Sequence, residues 1–214
     1  MNSHQSILVL GITCQTAYQL NRKNLHKHSY PFDWLISPLE STIKLLENRF
    51  ANFMEWENLK VVGTYENKNF IVNDTLYNVT SYHDFPFSPD GKIKNEDYIA
   101  FQEKMDRRIK RFYNQIEIDE SILFVINGDK SGLDKYIQLL TILKKLRGNL
   151  PFHVLACGYF VPNVKEGQIE NITFYRFRKI EKRSEQDQWK GNDEEWDNCL
   201  KNIKLKESKI LPED

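Results

Sequence analysis

Apolar and polar positions recur at two different periods along this chain, and the switches between them mark its elements. Ser6–Leu10 (SILVL) is a short apolar run closed by Gly11, as a buried strand is. Thr13–Leu20 then reads as a helix with Thr13 at its N-cap. A polar loop holding His26 and His28 leads into Tyr30-Pro31-Phe32-Asp33-Trp34. Pro38 suits the first turn of a second helix capped by Ser37, along which Leu39, Ile43, Leu46 and Phe50 recur at helical spacing. Between Leu59 and Phe85 the period shortens: Val61-Val62, Phe70–Val72 and Leu76–Tyr82 predict two or three short strands with hairpin character. Pro86, Pro89 and Asp90-Gly91 break the chain, and residues 86–94 read as a mobile loop suited to a lid.

Tyr98, Phe101, Met105, Ile109, Phe112 and Ile116 follow 3-4-4-3-4 spacing, which predicts an amphipathic helix of about five turns. Ile122–Ile126 and Phe152–Cys157 read as buried strands flanking a helix marked by Leu133, Tyr136, Ile137, Leu140 and Leu143. Ile172–Phe177 is a further strand, and a last helix is expected over Asp193–Leu205. This order gives an α/β fold: a single domain over residues 1–207 with a loosely held tail at 208–214, and a mixed, mostly parallel sheet with helices on both faces.

Composition narrows the setting. The chain has 214 residues, enough to bury a continuous core without disulfides or metal. Thirteen Phe, ten Tyr and four Trp imply large aromatic fillers in that core. Lys+Arg and Asp+Glu are both 30, so no global field draws the chain to nucleic acid or to an anionic membrane. Cys14, Cys157 and Cys199 form neither a CxxC pair nor a ligand cluster, and a sparse odd set fits a reducing compartment. The N-terminus lacks a basic n-region and its apolar run is too short for a signal peptide. The expectations are a cytoplasmic protein with no cofactor and no metal, acting on a small-molecule or peptide substrate.

Two residues carry the candidate chemistry. Cys14 follows a buried strand and a glycine, in the first turn of a helix, where free backbone N–H groups and the helix dipole lower a thiol's pKa. Ligands of open α/β sheets also bind at strand C-termini, where this residue falls. The competing reading is a buried cysteine serving as a small hydrophobe. His83 ends the run Val79–Tyr82 just before the Pro-rich loop, as a general base facing a cleft would. The bland alternative is a half-exposed histidine in a turn. An orienting partner for it could come from Asp84, Asp33, Asn127 or Asp129. Asp33, between aromatics and a proline, could equally cap the following segment, bind a histidine or contact a ligand.

Other motifs fail. Arg22 is misplaced for a C-x5-R loop, and no glycine-rich phosphate loop occurs. His26 and His28 with His83 are too loosely spaced for a convincing metal set. Lys104, Arg107, Arg108, Lys110 and Arg111 form a basic helix face that a solvated helix also shows.

Taken together, Leu10–Cys14, Ser29–Leu39 with its YPFDW segment, His83-Asp84-Phe85, and Met105–Phe112 with Arg107-Arg108 resemble the bacterial family catalogued as papain-like cysteine peptidases of otherwise unknown function. The resemblance covers about residues 6–126. It implies a thiol nucleophile at Cys14 and a base at His83, with Asp84 or Asp33 as the third member by motif. It also implies a Cys helix set against an antiparallel sheet that supplies the histidine, whereas the C-terminal half reads as parallel α/β. The functional expectation is a cysteine-dependent hydrolase or acyl transferase. The alternatives are a domain that binds or transfers a sugar nucleotide or other phosphorylated ligand, drawn by Arg107, Arg108 and Arg111, and a catalytically inactive interaction module.

Overall fold

The computed structural model describes residues 2–180 and 184–206, so the tail expected at 208–214 lies outside the described residues. The elements in chain order are β1 (Asn2–His4), β2 (Ser6–Val9), α1 (Gln15–Arg22), β3 (Leu35–Ile36), α2 (Leu39–Glu47), β4 (Leu59–Tyr65), β5 (Asn69–Asp74) and β6 (Val79–Pro86). There follow α3 (Asn95–Ile118), β7 (Ile122–Asn127), α4 (Leu133–Arg147), β8 (Phe152–Gly158), β9 (Ile172–Arg176), α5 (Asp193–Leu200) and β10 (Ile203–Leu205).

The fold is a single-domain α/β structure with parallel and antiparallel strands, and it segregates the two kinds. One four-stranded sheet, β2-β7-β8-β9, is parallel throughout. The other, β3-β6-β5-β4, is antiparallel and is made from the hairpin region between α1 and α3. Continuous apolar runs formed the first, because its strands are covered on both faces; β2 and β7 are buried along almost their whole length. The alternation of β5 and β6 reflects a sheet with one face inward.

The last helix is shorter than its sequence pattern predicts. It ends at Leu200, and Ile203–Leu205 instead pairs in parallel with Asn2–His4. A three-residue strand has too few positions to show a period, so neither β1 nor β10 is legible without its partner.

Two features join the sheets. Beyond β2, the Ile12 carbonyl accepts from Ser37 N at 2.9 Å, bridging the two strand systems. Gly11 makes this approach with φ +86, and a Cβ there would lie 2.8 Å from the Ser37 carbonyl oxygen. The second feature is an aromatic core. Phe32, carried inward by the turn before β3, packs on Phe50 at 5.2 Å and on Phe112 of α3 at 5.8 Å between ring centres. Among the described residues no helix is long and apolar enough to cross a membrane.

Candidate active site

Cys14 stands where β2 has ended and α1 begins. It takes the N-cap position expected of Thr13, while the Thr13 hydroxyl accepts from Gln15 N at 3.3 Å. His83 comes from β6 of the antiparallel sheet, a different part of the chain. Both line one cleft of about 330 Å³. Asn127, at the C-terminal end of β7, lies on the same cleft, as expected for the carboxyl ends of parallel strands. A larger groove of about 470 Å³ runs between α2, α3 and α4, but it holds no cysteine or histidine.

The Cys14 side chain is 7% exposed. Burial pushes its thiol up to about 11, and the carboxylates of Asp84 and Asp33 act in the same direction against the pull of a backbone hydrogen bond. The acid shift expected from the helix start is therefore reversed at rest: desolvation of the sulfur outweighs the amides. The sulfur is a protonated thiol near neutral pH.

His83 is exposed, and its ring is framed by aromatic edges. Trp34 stands 6.3 Å away at 89° and Tyr65 5.3 Å away at 90°. Neither candidate carboxylate is bonded to it. Asp84 accepts from Lys104 Nζ and from the Ser81 hydroxyl, at 2.6 and 2.5 Å. Adjacent residues on a strand face opposite ways, which explains the separation. Asp33 is fully buried, where it accepts from Tyr30 N at 2.7 Å and pairs with His26 Nε2 at 2.8 Å. The YPFDW turn thus aims Phe32 and Asp33 into the interior and Trp34 toward His83.

The remaining candidates also have other partners. Asp129 accepts from Leu39 N at 3.2 Å and Ser131 N at 2.7 Å, so it caps the start of α2. Asn127 Nδ2 donates to Gln15 Oε1 at 2.9 Å. Gln15 is a residue that sequence reasoning passed over. Its Oε1 also accepts from Trp196 Nε1 at 3.2 Å, and its Nε2 donates to the Trp189 carbonyl at 3.0 Å. The carboxamide beside the cysteine thereby ties the C-terminal segment to the cleft.

Ile36, Tyr65, Tyr82 and Trp189 complete the walls. Adjacency to His83 could have flagged Tyr82, but Tyr65 and Trp189 carry no local signal. Arg107, Arg108 and Arg111 do not line the cleft; Arg111 donates to the Ser29 carbonyl at 2.9 Å. Among the described residues no group of three or more His, Cys, Asp or Glu could hold a metal ion.

A family model described as "Putative papain-like cysteine peptidase (DUF1796)" matches residues 5–157 of this chain, a stretch that includes Cys14 and His83. Uncharacterized protein R408 of Acanthamoeba polyphaga mimivirus is similar, with 26% identity over 201 residues covering 84% of this chain and 89% of the relative. No solved structure gives a significant match.

Proposed function

Because this chain belongs to the family described as "Putative papain-like cysteine peptidase", we propose that it is a cysteine-dependent hydrolase or acyl transferase with Cys14 as nucleophile and His83 as base. The observation that carries this reading is the shared cleft: a helix-start sulfur and a strand-end imidazole from separate sheets line one hollow. No lysine or arginine is among the described residues lining it, which argues against a phosphorylated ligand.

With the thiol protonated at rest, the imidazole works as a general base during attack. His83 takes the Cys14 proton as sulfur bonds to the substrate's carbonyl carbon and the C=O π pair moves to oxygen. Backbone N–H groups at the start of α1, which lack helical partners, receive that oxyanion; loss of one such donor typically costs about 100- to 1000-fold. The pair returns from oxygen, and the leaving nitrogen or oxygen departs with the proton from His83. A water or acceptor nucleophile then gives its proton to His83 and displaces the sulfur from the thioester, and Cys14 recovers its proton. The aromatic frame of Trp34 and Tyr65 orients the imidazole in place of a carboxylate.

Alkylation of Cys14 by iodoacetamide, followed by peptide mass spectrometry across pH, tests this. With His83 present, Cys14 is alkylated readily already at neutral pH, far below the value of its own thiol. In His83→Ala the rate climbs only toward the thiol's own value of about 11, and at neutral pH it falls by about 100-fold or more. Superimposable profiles for the two proteins would overturn the assignment.

A further inference from the structure

The charges around the cleft are satisfied outside it. Asp84 is held by Lys104 at 2.6 Å, and Lys190 meets Asp187 at 2.7 Å. The apolar and aromatic part of the wall is Ile36, Tyr65 and Tyr82 from the antiparallel sheet, faced by Trp189 from the segment before α5; the polar residues beside them, Thr13, Gln15 and Asn127, are uncharged. An ionic group entering here would lose hydration, and the ammonium beside the Trp189 ring, that of Lys190 at 5.8 Å from the ring centre, is already paired with Asp187, so an apolar group enters at lower cost.

Trp189 is the wall residue with most reason to meet a ligand. Its indole is 38% exposed, although it stands at the rim of an apolar hollow. Its backbone is nevertheless held firmly. The Trp189 carbonyl accepts from Gln15 Nε2, and the next carbonyl, of Lys190, accepts from Gln19 Nε2 at 2.7 Å. Gly191 passes so close that a Cβ there would lie 2.5 Å from the Gln15 side chain. The ring stands edge-on to Tyr18 of α1 at 5.2 Å. Lys190 Nζ lies over the indole ring at 5.8 Å, and the part of this fixed aromatic surface still open to solvent is poised for a partner ring or branched chain.

We propose that the group this site accepts beside the reacting carbon is uncharged and apolar or aromatic, and that Trp189 is the residue that selects it. The inference rests on Cys14 being the nucleophile and adds a substrate class to that reading. One added aromatic contact corresponds to about a 3- to 10-fold preference.

The experiment uses three chloroacetamides that differ in the substituent on nitrogen: benzyl, methyl and carboxymethyl. In each reaction the Cys14 sulfur bonds to the CH2 carbon, chloride leaves and the thiol proton passes to His83. Each rate is divided by that of glutathione with the same reagent. The expected order is benzyl above methyl above carboxymethyl, with about a 3- to 10-fold benzyl-to-methyl ratio. That ratio collapses toward unity in Trp189→Ala and is largely kept in Trp189→Phe. Equal normalised rates for all three reagents, with the His83-dependent pH profile intact, overturn the substrate class alone. Loss of that profile overturns both readings. A ratio unchanged in both Trp189 variants removes Trp189 as the selector.

Discussion

At Cys14 two effects oppose each other, and their sizes decide the chemistry. Helix-start amides favour the thiolate, while burial disfavours it more, leaving the thiol at about 11. To act as a nucleophile such a thiol needs a base in the same cleft, which is the role proposed for His83. Gly11, three residues earlier, is equally constrained. Its φ of +86 and the 2.8 Å approach to the Ser37 carbonyl leave no space for a side chain. Gly11→Ala is expected to destabilise the fold by about 1–3 kcal/mol, read from urea unfolding midpoints. A loss under about 0.5 kcal/mol, the usual surface background, would show that the strand junction relaxes freely.

At the scale of elements, the cleft depends on how the two sheets are tied. Asp129, on the loop after β7, caps α2 by accepting from Leu39 N, and so holds the helix that follows β3 against the parallel sheet. Asp129→Ala is expected to cost about 0.5–2 kcal/mol, as loss of a helix cap does. It should leave the shape of the Cys14 alkylation pH profile as it is in wild type. A changed profile would mean that Asp129 reaches the imidazole after all. The Ser88–Lys92 turn bears on the expected lid. Ser88 is buried and its hydroxyl lies within donating distance of both Asp90, at 2.6 Å, and the Lys92 carbonyl, at 2.5 Å, so the turn is internally bonded.

For the whole molecule, two histidines set a stability window. His4 of β1 is held below its ordinary value by burial, then by the fields of His153 and Lys206; His153 of β8 is lowered by burial. Both ring nitrogens of His4 are buried without a hydrogen-bond partner. Because the folded chain resists these protons, the unfolded chain binds more of them below about 6.5. Stability is therefore full above that pH and is lost as the pH falls through the folded-state values. Urea midpoints measured between pH 8 and pH 5 should decline, and His4→Gln should flatten the decline. An unchanged slope in that variant would assign the acid sensitivity elsewhere.

Local sequence determined the elements with long or repeated apolar patterns: the α3 stripe from Tyr98 to Ile116, the buried runs of β2 and β7, and the hairpin character between Leu59 and Phe85. It also placed Cys14 at a strand-to-helix junction and His83 on a strand, because each depends on neighbours a few residues away. The tertiary structure alone decided what each side chain meets. Asp33 went to the nearby His26, while Asp84 went to Lys104, Asp129 to α2, and Gln15 to Trp189 and Trp196 through contacts between segments farther apart. It also divided the strands between two sheets and reversed the expected acidity of the thiol. Burial and partner choice are properties of the packed chain, and no period or spacing along the sequence carries them.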